Sequence, residues 1–560
     1  MTTTLTPLRR AVSLAPLLTI IALAACAGPG AAPGSESITE AGLRSDVFAL
    51  ADDSLRGRLV GTPELEKASD WFRDRFASAG LAPAGDDGSY DQRFDMMWFS
   101  LGEGNELTVR GAKGTGRTRP SGEGWYPLDF SASSTATGNV VFAGFGIEEP
   151  RLGWDDYQGA DVTGKVVLVL EREPGVDDPA SPFDGVVTAD AAREWRKALA
   201  AQRHGAVGIL FVRDVQNRGD VTDWASAAEQ SWPDRPRRIE RFTLADWMNE
   251  IRIPGASISV EVARTLVAGQ DRSLEELAAA AESAPHGLGV QPLSGSAVTL
   301  ATAVERHLTP GRNIVAMVEG SDAELRNQAV IIVGHHDHNG AAGDTIYNGA
   351  DDNASGAVGV LAVAEAFARA AAEGRRPRRS VVFAISDAEE RGPSLGAWYL
   401  TLDPPFPLAN TVAVFNVDMI GRNQEVPEGG GRRFVGLEPQ TSESNANAVN
   451  ILGYSRAPAL AAAVAAANGE TGLTLRFRYD NNASNLLRRS DQWPYLQNGV
   501  PAVWFHTGLH PDYHTPDDDA DRLNYEKMTR IVRLIHQVSW NVADSDERFS
   551  VEPMGPRPPS

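Results

Sequence analysis

Cysteine is nearly missing from this chain. Of 560 residues only Cys26 is one, so no intrachain disulfide can form, and stability has to come from other sources, an apolar core first. A basic excess is missing too: 52 Lys and Arg stand against 74 Asp and Glu, a formal net charge of -22. That balance argues against a nucleic-acid surface, which needs cations to meet phosphate, and suits solubility in an exported compartment. No heptad array and no internal repeat is found. The amino-terminal apolar stretch, Ala11 to Ala25 behind Arg9 and Arg10, is too short for a comfortable transmembrane helix and matches a secretory h-region.

Leu23-Ala24-Ala25-Cys26 looks like a bacterial lipobox. That resemblance implies a lipoprotein signal peptide over 1–25, lipidation of Cys26 and anchoring in the bacterial cell envelope, at the outer membrane or facing the periplasm. Residues 26–37 then read as a tether, and the proline-bearing tail 549–560 as disordered.

What is present is a concentration of imidazole and carboxylate. His335, His336 and His338 fall in GHHDHNG, and His506, His510 and His514 in FHTGLHPDYHTP, six of the ten histidines. Between them lie Asp351-Asp352, Glu389-Glu390 and Asp418. Nitrogen and hard oxygen ligands together suit Zn2+, and this many suit more than one ion. Each cluster follows a short apolar run that reads as a buried strand: 329–333 before His335, 381–385 before Glu389, 411–417 before Asp418 and 502–505 before His506. In an open parallel α/β sheet the carboxyl edge is where ligands bind, so the four runs deliver their polar residues to one place. The segment NGADDNASG leads into an apolar helical face, Val358, Leu361, Val363 and Phe367, with Ser355 as the expected N-cap. The chain reads as a metallohydrolase.

Five motifs in this order, His335-x-Asp337, GADDNASG, Glu389-Glu390 in ISDAEERG, Asp418 in FNVDMIGRN and Tyr513-His514 in HPDYHTP, resemble metallopeptidase family 28. These are the di-zinc aminopeptidases related to glutamate carboxypeptidase, the transferrin receptor and glutaminyl cyclase. The resemblance implies two Zn2+ per chain, one held by His335 and Asp418, the other by Glu390 and His514, with Asp352 bridging. It makes Glu389 the general base and Tyr513 a hydrogen-bond donor to the tetrahedral oxyanion. Asp337 is implied in support of His335, accepting its other ring N–H, and the Asp352-Asn353 peptide is expected to be cis. Asp351, His336, His338, His506 and His510 are expected to line the site or to be satisfied elsewhere. The arginine groups 375, 376, 378, 379 and 235, 237, 238, 241 are expected to be solvated.

The fold class this implies is α/β, a mixed, mostly parallel sheet flanked by helices, with a small β-rich insert. The catalytic domain is expected over 38–134 and 286–548, opening with a helix whose face is Ala68, Phe72, Phe76 and Ala79. The insert, 135–285, carries GNVVFAGFGIEEP, KVVLVLE and a strand-like ASISVEV, and resembles a protease-associated domain, either a roof over the site or a surface module. The expected function is hydrolysis of peptide bonds, releasing amino-terminal residues from a peptide substrate. The alternatives are a carboxypeptidase, a glutaminyl cyclase and a non-catalytic binding homologue.

Overall fold

The computed structural model describes residues 30–216, 221–234 and 237–552. Cys26 and the segment 1–25 lie outside the described residues, as does the tail after 552.

Four apolar runs form the parallel centre of a ten-stranded sheet: β1 (Ala329–His335), β2 (Ser380–Ser386), β3 (Thr411–Val417) and β4 (Ala502–His506). Their spatial order is β2-β1-β3-β4. Antiparallel strands flank them, Val304–Val318 beside β2 and Ala448–Leu452 beside β4. All four are buried on both faces, which is why they read as unbroken apolar runs. The two-residue period sorts their side chains into two cores: Val330, Ile332, Val381, Phe383 and Phe415 face one way, Ile331, Val333, Val382, Ala384 and Val414 the other.

Behind the first face pack the helices Glu40–Leu50 and Pro63–Ser78, then α1 (Gly356–Ala372) and α2 (Tyr525–Ala543). Ala68, Phe72 and Phe76 are buried there as expected, and the helix stops before Gly80, whose φ is +77°. Helix α1 is apolar nearly all round because it lies between the sheet and α2. Each Phe or Ile taken fully out of water on this face contributes roughly 1.5–3 kcal/mol. Leu395–Leu402 and Gln492–Gln497 cover the opposite face.

A second, eight-stranded sheet is built from Arg117–Pro120, Glu106–Arg110, Gln291–Thr302, Ser134–Phe142, Val166–Leu170, Gly208–Val212, Gly255–Ile258 and Trp125–Pro127, in that order. It has its own core around Phe142, Leu168, Leu210 and Ile258. The sheet extends past the expected 135–285 on both sides, because strands at 106–127 and 291–302 complete its edges and centre. The expected strand ASISVEV ends at Ile258: the Ser259 hydroxyl accepts the Val262 N–H and starts a helix, Val260–Val267.

Three further expectations change. The described part of the tether is packed, with Ala32 buried and its N–H donated to Gln537 Oε1. The tail is docked as far as Glu552, whose N–H and C=O both bond Arg456. Arg379 is fully buried, donating to the Val542 carbonyl and to Gln328, because it joins the start of β2 to the end of α2.

Candidate metal centre

The connection from β1 runs through α1 to β2 on one side, and the next crossover places β3 on the other, so the chain reverses direction at β1. A crevice opens where strand order reverses, and His335 and Asp418 sit at its rim, at the ends of β1 and β3.

Asn353 ties this point together. Its amide N–H groups reach the His335 and Val417 carbonyls at 3.3 and 3.0 Å, and its Oδ1 accepts the Gly356 and Met419 N–H groups at 2.9 and 3.1 Å. Asn353 therefore caps α1, a task expected of Ser355, whose hydroxyl instead bonds Asp351 and receives the Ile420 N–H. A carboxylate at 353 would lack the donors. Gly356 has no alternative either, since a Cβ there would lie 2.1 Å from the Val417 carbonyl oxygen. The Asp352-Asn353 peptide bond is cis.

Two triads meet at Asp352. On one side His335 Nε2 lies 3.5 Å from Asp352 Oδ1, 3.6 Å from Asp418 Oδ1 and 4.0 Å from Glu389 Oε2. On the other, His514 Nε2 lies 2.9 Å from Asp352 Oδ2 and 3.1 Å from Glu390 Oε2. Two groups here, His335-Asp352-Asp418 and His338-Asp352-Glu390, each bring one potential ligand atom per residue within 4.8 Å of one another. His338, expected only to line the site, is buried with Nδ1 2.7 Å from Glu390 Oε1, so it fixes the rotamer of that carboxylate.

The supporting contacts are equally specific. Asp337 lies beside His335 Nδ1, its carbonyl at 3.3 Å and its carboxylate at 3.5 Å. The carboxylate also receives the Glu389 and Glu390 N–H groups at 3.0 and 3.2 Å, so one side chain orients a histidine and two glutamates. Ser490 donates to Asp418 Oδ2 at 2.5 Å, and Asp491 receives the Ser386 hydroxyl. Asp351 holds the Gly421 and Arg422 N–H groups and lies 3.2 Å from His510 Nε2. His336 is satisfied by Ser69 and the Ser386 carbonyl, and His506 lies against the Asp418 carbonyl. Arg58, which no motif flagged, is fully buried and donates to the His336, Leu50, Asn348 and Gly349 carbonyls, clamping the loop between His338 and Asp352.

Burial of so many like charges distorts their protonation. Burial and the neighbouring Glu390 push Asp352 up to about 8. Burial raises Glu389 well above the usual carboxylate range, Glu390 and Asp418 adding to it against His335. Burial opposes charge on His514, yet Glu390 and Asp352 outweigh it and lift the imidazole to about 10. Burial likewise opposes ionisation of Glu390, and His514 and His338 overcome it. The protons stand where a cation would do the same work. His335 Nε2 and Asp418 Oδ1 are buried and make no hydrogen bond, as atoms of a metal-binding set should be. The residues fit Zn2+.

Tyr513 stacks on His514, ring centroids 3.8 Å apart, and its hydroxyl accepts an N–H from Arg489 at 2.9 Å. Burial holds its pKa well above that of free tyrosine, so the O–H remains a donor. A cleft of about 780 Å3 opens onto Glu389, Glu390, Tyr513 and His514 and is lined by Arg237, Arg241, Arg391, Arg488 and Arg489, with Asp129 and Glu240 as the opposing charges. Arg237 and Arg241 thus stand at the mouth of the site; Arg238 and Arg241 are exposed, as expected of solvated charge, with Arg238 reaching the Asn339 carbonyl, while Arg237 is half-buried and donates to the Gln230 and Ser231 carbonyls. A smaller recess is walled by Met419, Leu486, Trp504 and Leu509.

The fold and site define an α/β protein with a buried two-centre histidine–carboxylate metal site at a sheet edge. Residues 313–539 match the family model described as Peptidase family M28, a span that takes in all five motifs, and the chain carries a domain of that family. It is 26% identical over 413 residues to the "Probable glutamate carboxypeptidase AMP1" of Arabidopsis thaliana, covering 70% of this chain and 51% of that one. It is 25% identical over 326 residues to the "Aminopeptidase NAALADL1" of Mus musculus, covering 52% and 40%. The chain thus spans about half the length, or less, of the curated relatives it matches. Among solved structures, the "Aminopeptidase from Aneurinibacillus sp. strain AM-1" superposes with a TM-score of 0.47 at 16% identity, over 94% of this chain and 98% of that one.

Proposed function

We propose that this protein is an exported zinc metallopeptidase that removes amino-terminal residues from peptides. The observation that carries the reading is the position of Asp352, one oxygen toward His335 and the other toward His514. His335 and Asp418 would hold one ion, Glu390 and His514 the other, and Asp352 both. Zinc, when bound, supplies Lewis acidity toward a carbonyl and lowers the pKa of water.

The remaining work falls to side chains. Glu389, partly buried with a carboxylate oxygen 4.0 Å from His335 Nε2, takes a proton from water and passes it to the leaving amine. Tyr513, its oxygen lone pair engaged by Arg489, aims its O–H at the oxyanion. Carboxylate oxygens near Glu389 and Asp418 suit a free α-ammonium. Residues of the second-sheet segment, Asp129, Arg237 and 239–242, line the cleft beside Glu389, which supports a roof that limits substrate size. Export and a lipid anchor at Cys26 rest on the amino-terminal sequence.

A second reading has support in the same cleft: its five arginines could receive a substrate carboxylate bidentately, as a carboxypeptidase requires. Free, N-acetylated and C-amidated short peptides separate the two. Acetylation abolishes cleavage by an aminopeptidase, amidation abolishes cleavage by a carboxypeptidase, and equal hydrolysis of free and acetylated peptides removes the first reading.

A further inference from the structure

We propose that Glu148, Asp155 and His204 form a further divalent-cation site, remote in sequence from the centre at Asp352, which fastens a short hairpin of the second-sheet segment to the end of a helix. The hairpin pairs Glu148–Glu149 with Trp154–Asp155, and its register sets Glu148 directly opposite Asp155. Two like charges facing each other across a ladder repel, and a two-residue ladder offers few contacts to offset that. A cation between them removes the conflict.

His204 follows the helix Glu194–Arg203 as its C-cap, where the exposed carbonyl end of the helix favours positive charge. Its ring is fixed in plane and tautomer. It stacks on Tyr157, centroids 4.4 Å apart and 10° from parallel, and Nδ1 lies 3.1 Å from the Ala160 carbonyl. A carbonyl only accepts, so Nδ1 carries the proton and Nε2 presents a lone pair. Nε2 lies 3.7 Å from Glu148 Oε1. The other Glu148 oxygen is held by Arg203 at 2.7 Å, and Asp155 is held through Oδ1 by the Tyr157 N–H at 2.7 Å. One ligand atom from each of the three residues lies within 4.8 Å of the others.

Each side chain is therefore anchored through one atom. Arg203 answers only part of the negative charge. One imidazole nitrogen and two carboxylate oxygens are a zinc-type set, and all three side chains are partly buried, leaving room for water in the remaining position. In a chain with a single cysteine, such a site supplies a cross-link between hairpin and helix that no disulfide can.

The test compares the full chain with the same chain carrying His204→Ala, both dialysed against zinc chloride under the same conditions, by elemental analysis and thermal melting. The wild type holds one more zinc per chain than the His204→Ala protein, and zinc raises its melting temperature by the larger amount, while kcat/KM is unchanged. Equal zinc contents overturn the proposal. If His204→Ala does not fold, Asp155→Asn decides: one zinc fewer and a lower melting temperature support the site. An unchanged zinc content, with stability raised by relief of the opposed charges, refutes it. The difference between proteins is read and not the total, so failure of the centre at Asp352 to load would undo the peptidase reading and leave this comparison intact.

Discussion

Asp352 and His514 lie 2.9 Å apart, Oδ2 to Nε2, while the other oxygen of the same carboxylate faces His335 at 3.5 Å. One residue thus belongs to both halves of the centre and one to a single half. Asp352→Ala is expected to lower zinc content by two ions relative to the wild type and His514→Ala by one, read by elemental analysis after identical purification. Equal losses would show that Asp352 does not bridge. Chelation of the metal should also lower stability, by about 2.7 kcal/mol for each site at which free zinc had stood at 100 times Kd, read as a fall in melting temperature.

Glu389 has a carboxylate oxygen 4.0 Å from His335 Nε2 and takes no place in either triad. Glu389→Gln is expected to retain zinc and to lower kcat by ~10^2 to 10^4-fold. A zinc-loaded Glu389→Gln protein with near-normal turnover would falsify the assignment of the base.

Tyr513→Phe removes the donor but keeps the ring that stacks on His514. The expected result is a fall in kcat of ~10^2 to 10^3-fold with KM and metal content little changed. A change in KM alone would assign Tyr513 to substrate binding.

His536 gives a pH signature away from the metal. It is fully buried beside Phe367 with neither ring nitrogen hydrogen-bonded, and burial lowers its pKa to about 3. The unfolded chain binds this proton at about 6.5. Between those values the unfolded state holds more protons, so stability rises with pH and is lost as pH falls through the window, by about 1.4 kcal/mol per unit for this group. Melting curves between about pH 3.5 and about 6.5 should show a shallower pH dependence in His536→Leu than in the wild type, and parallel curves would remove His536 as the cause.

Cys26 lies outside the described residues, and its prediction rests on sequence. If acylated, the wild type fractionates with membranes, each buried CH2 contributing roughly 0.8 kcal/mol, and Cys26→Ser does not. A wild type recovered wholly in the soluble fraction, with an unmodified terminus that begins after residue 26, would end this reading.

The sequence alone determined the parallel centre of the sheet and the residues at its edge. Strands buried on both faces are largely apolar, so 329–333, 381–385, 411–417 and 502–505 announce themselves, and the polar residues that follow each run lie at the rim. That is why His335, Glu389, Asp418 and the window holding His514 were legible, together with the absence of any disulfide. Tertiary structure alone decided the rest. Asn353 caps α1 only because the ends of β1 and β3 come within reach of its amide, and Arg58 is a clamp only because carbonyls from 50, 336, 348 and 349 converge on it. That Arg237 and Arg241, while open to solvent, stand at the same cleft as Glu389 follows only from the packing of the second-sheet segment. His338 and His514 are chemically the same residue, and what separates their contacts with Glu390 is the path of two distant loops. Local periodicity specifies which face of an element is buried; which polar groups meet across distant stretches of chain is settled only when the elements pack.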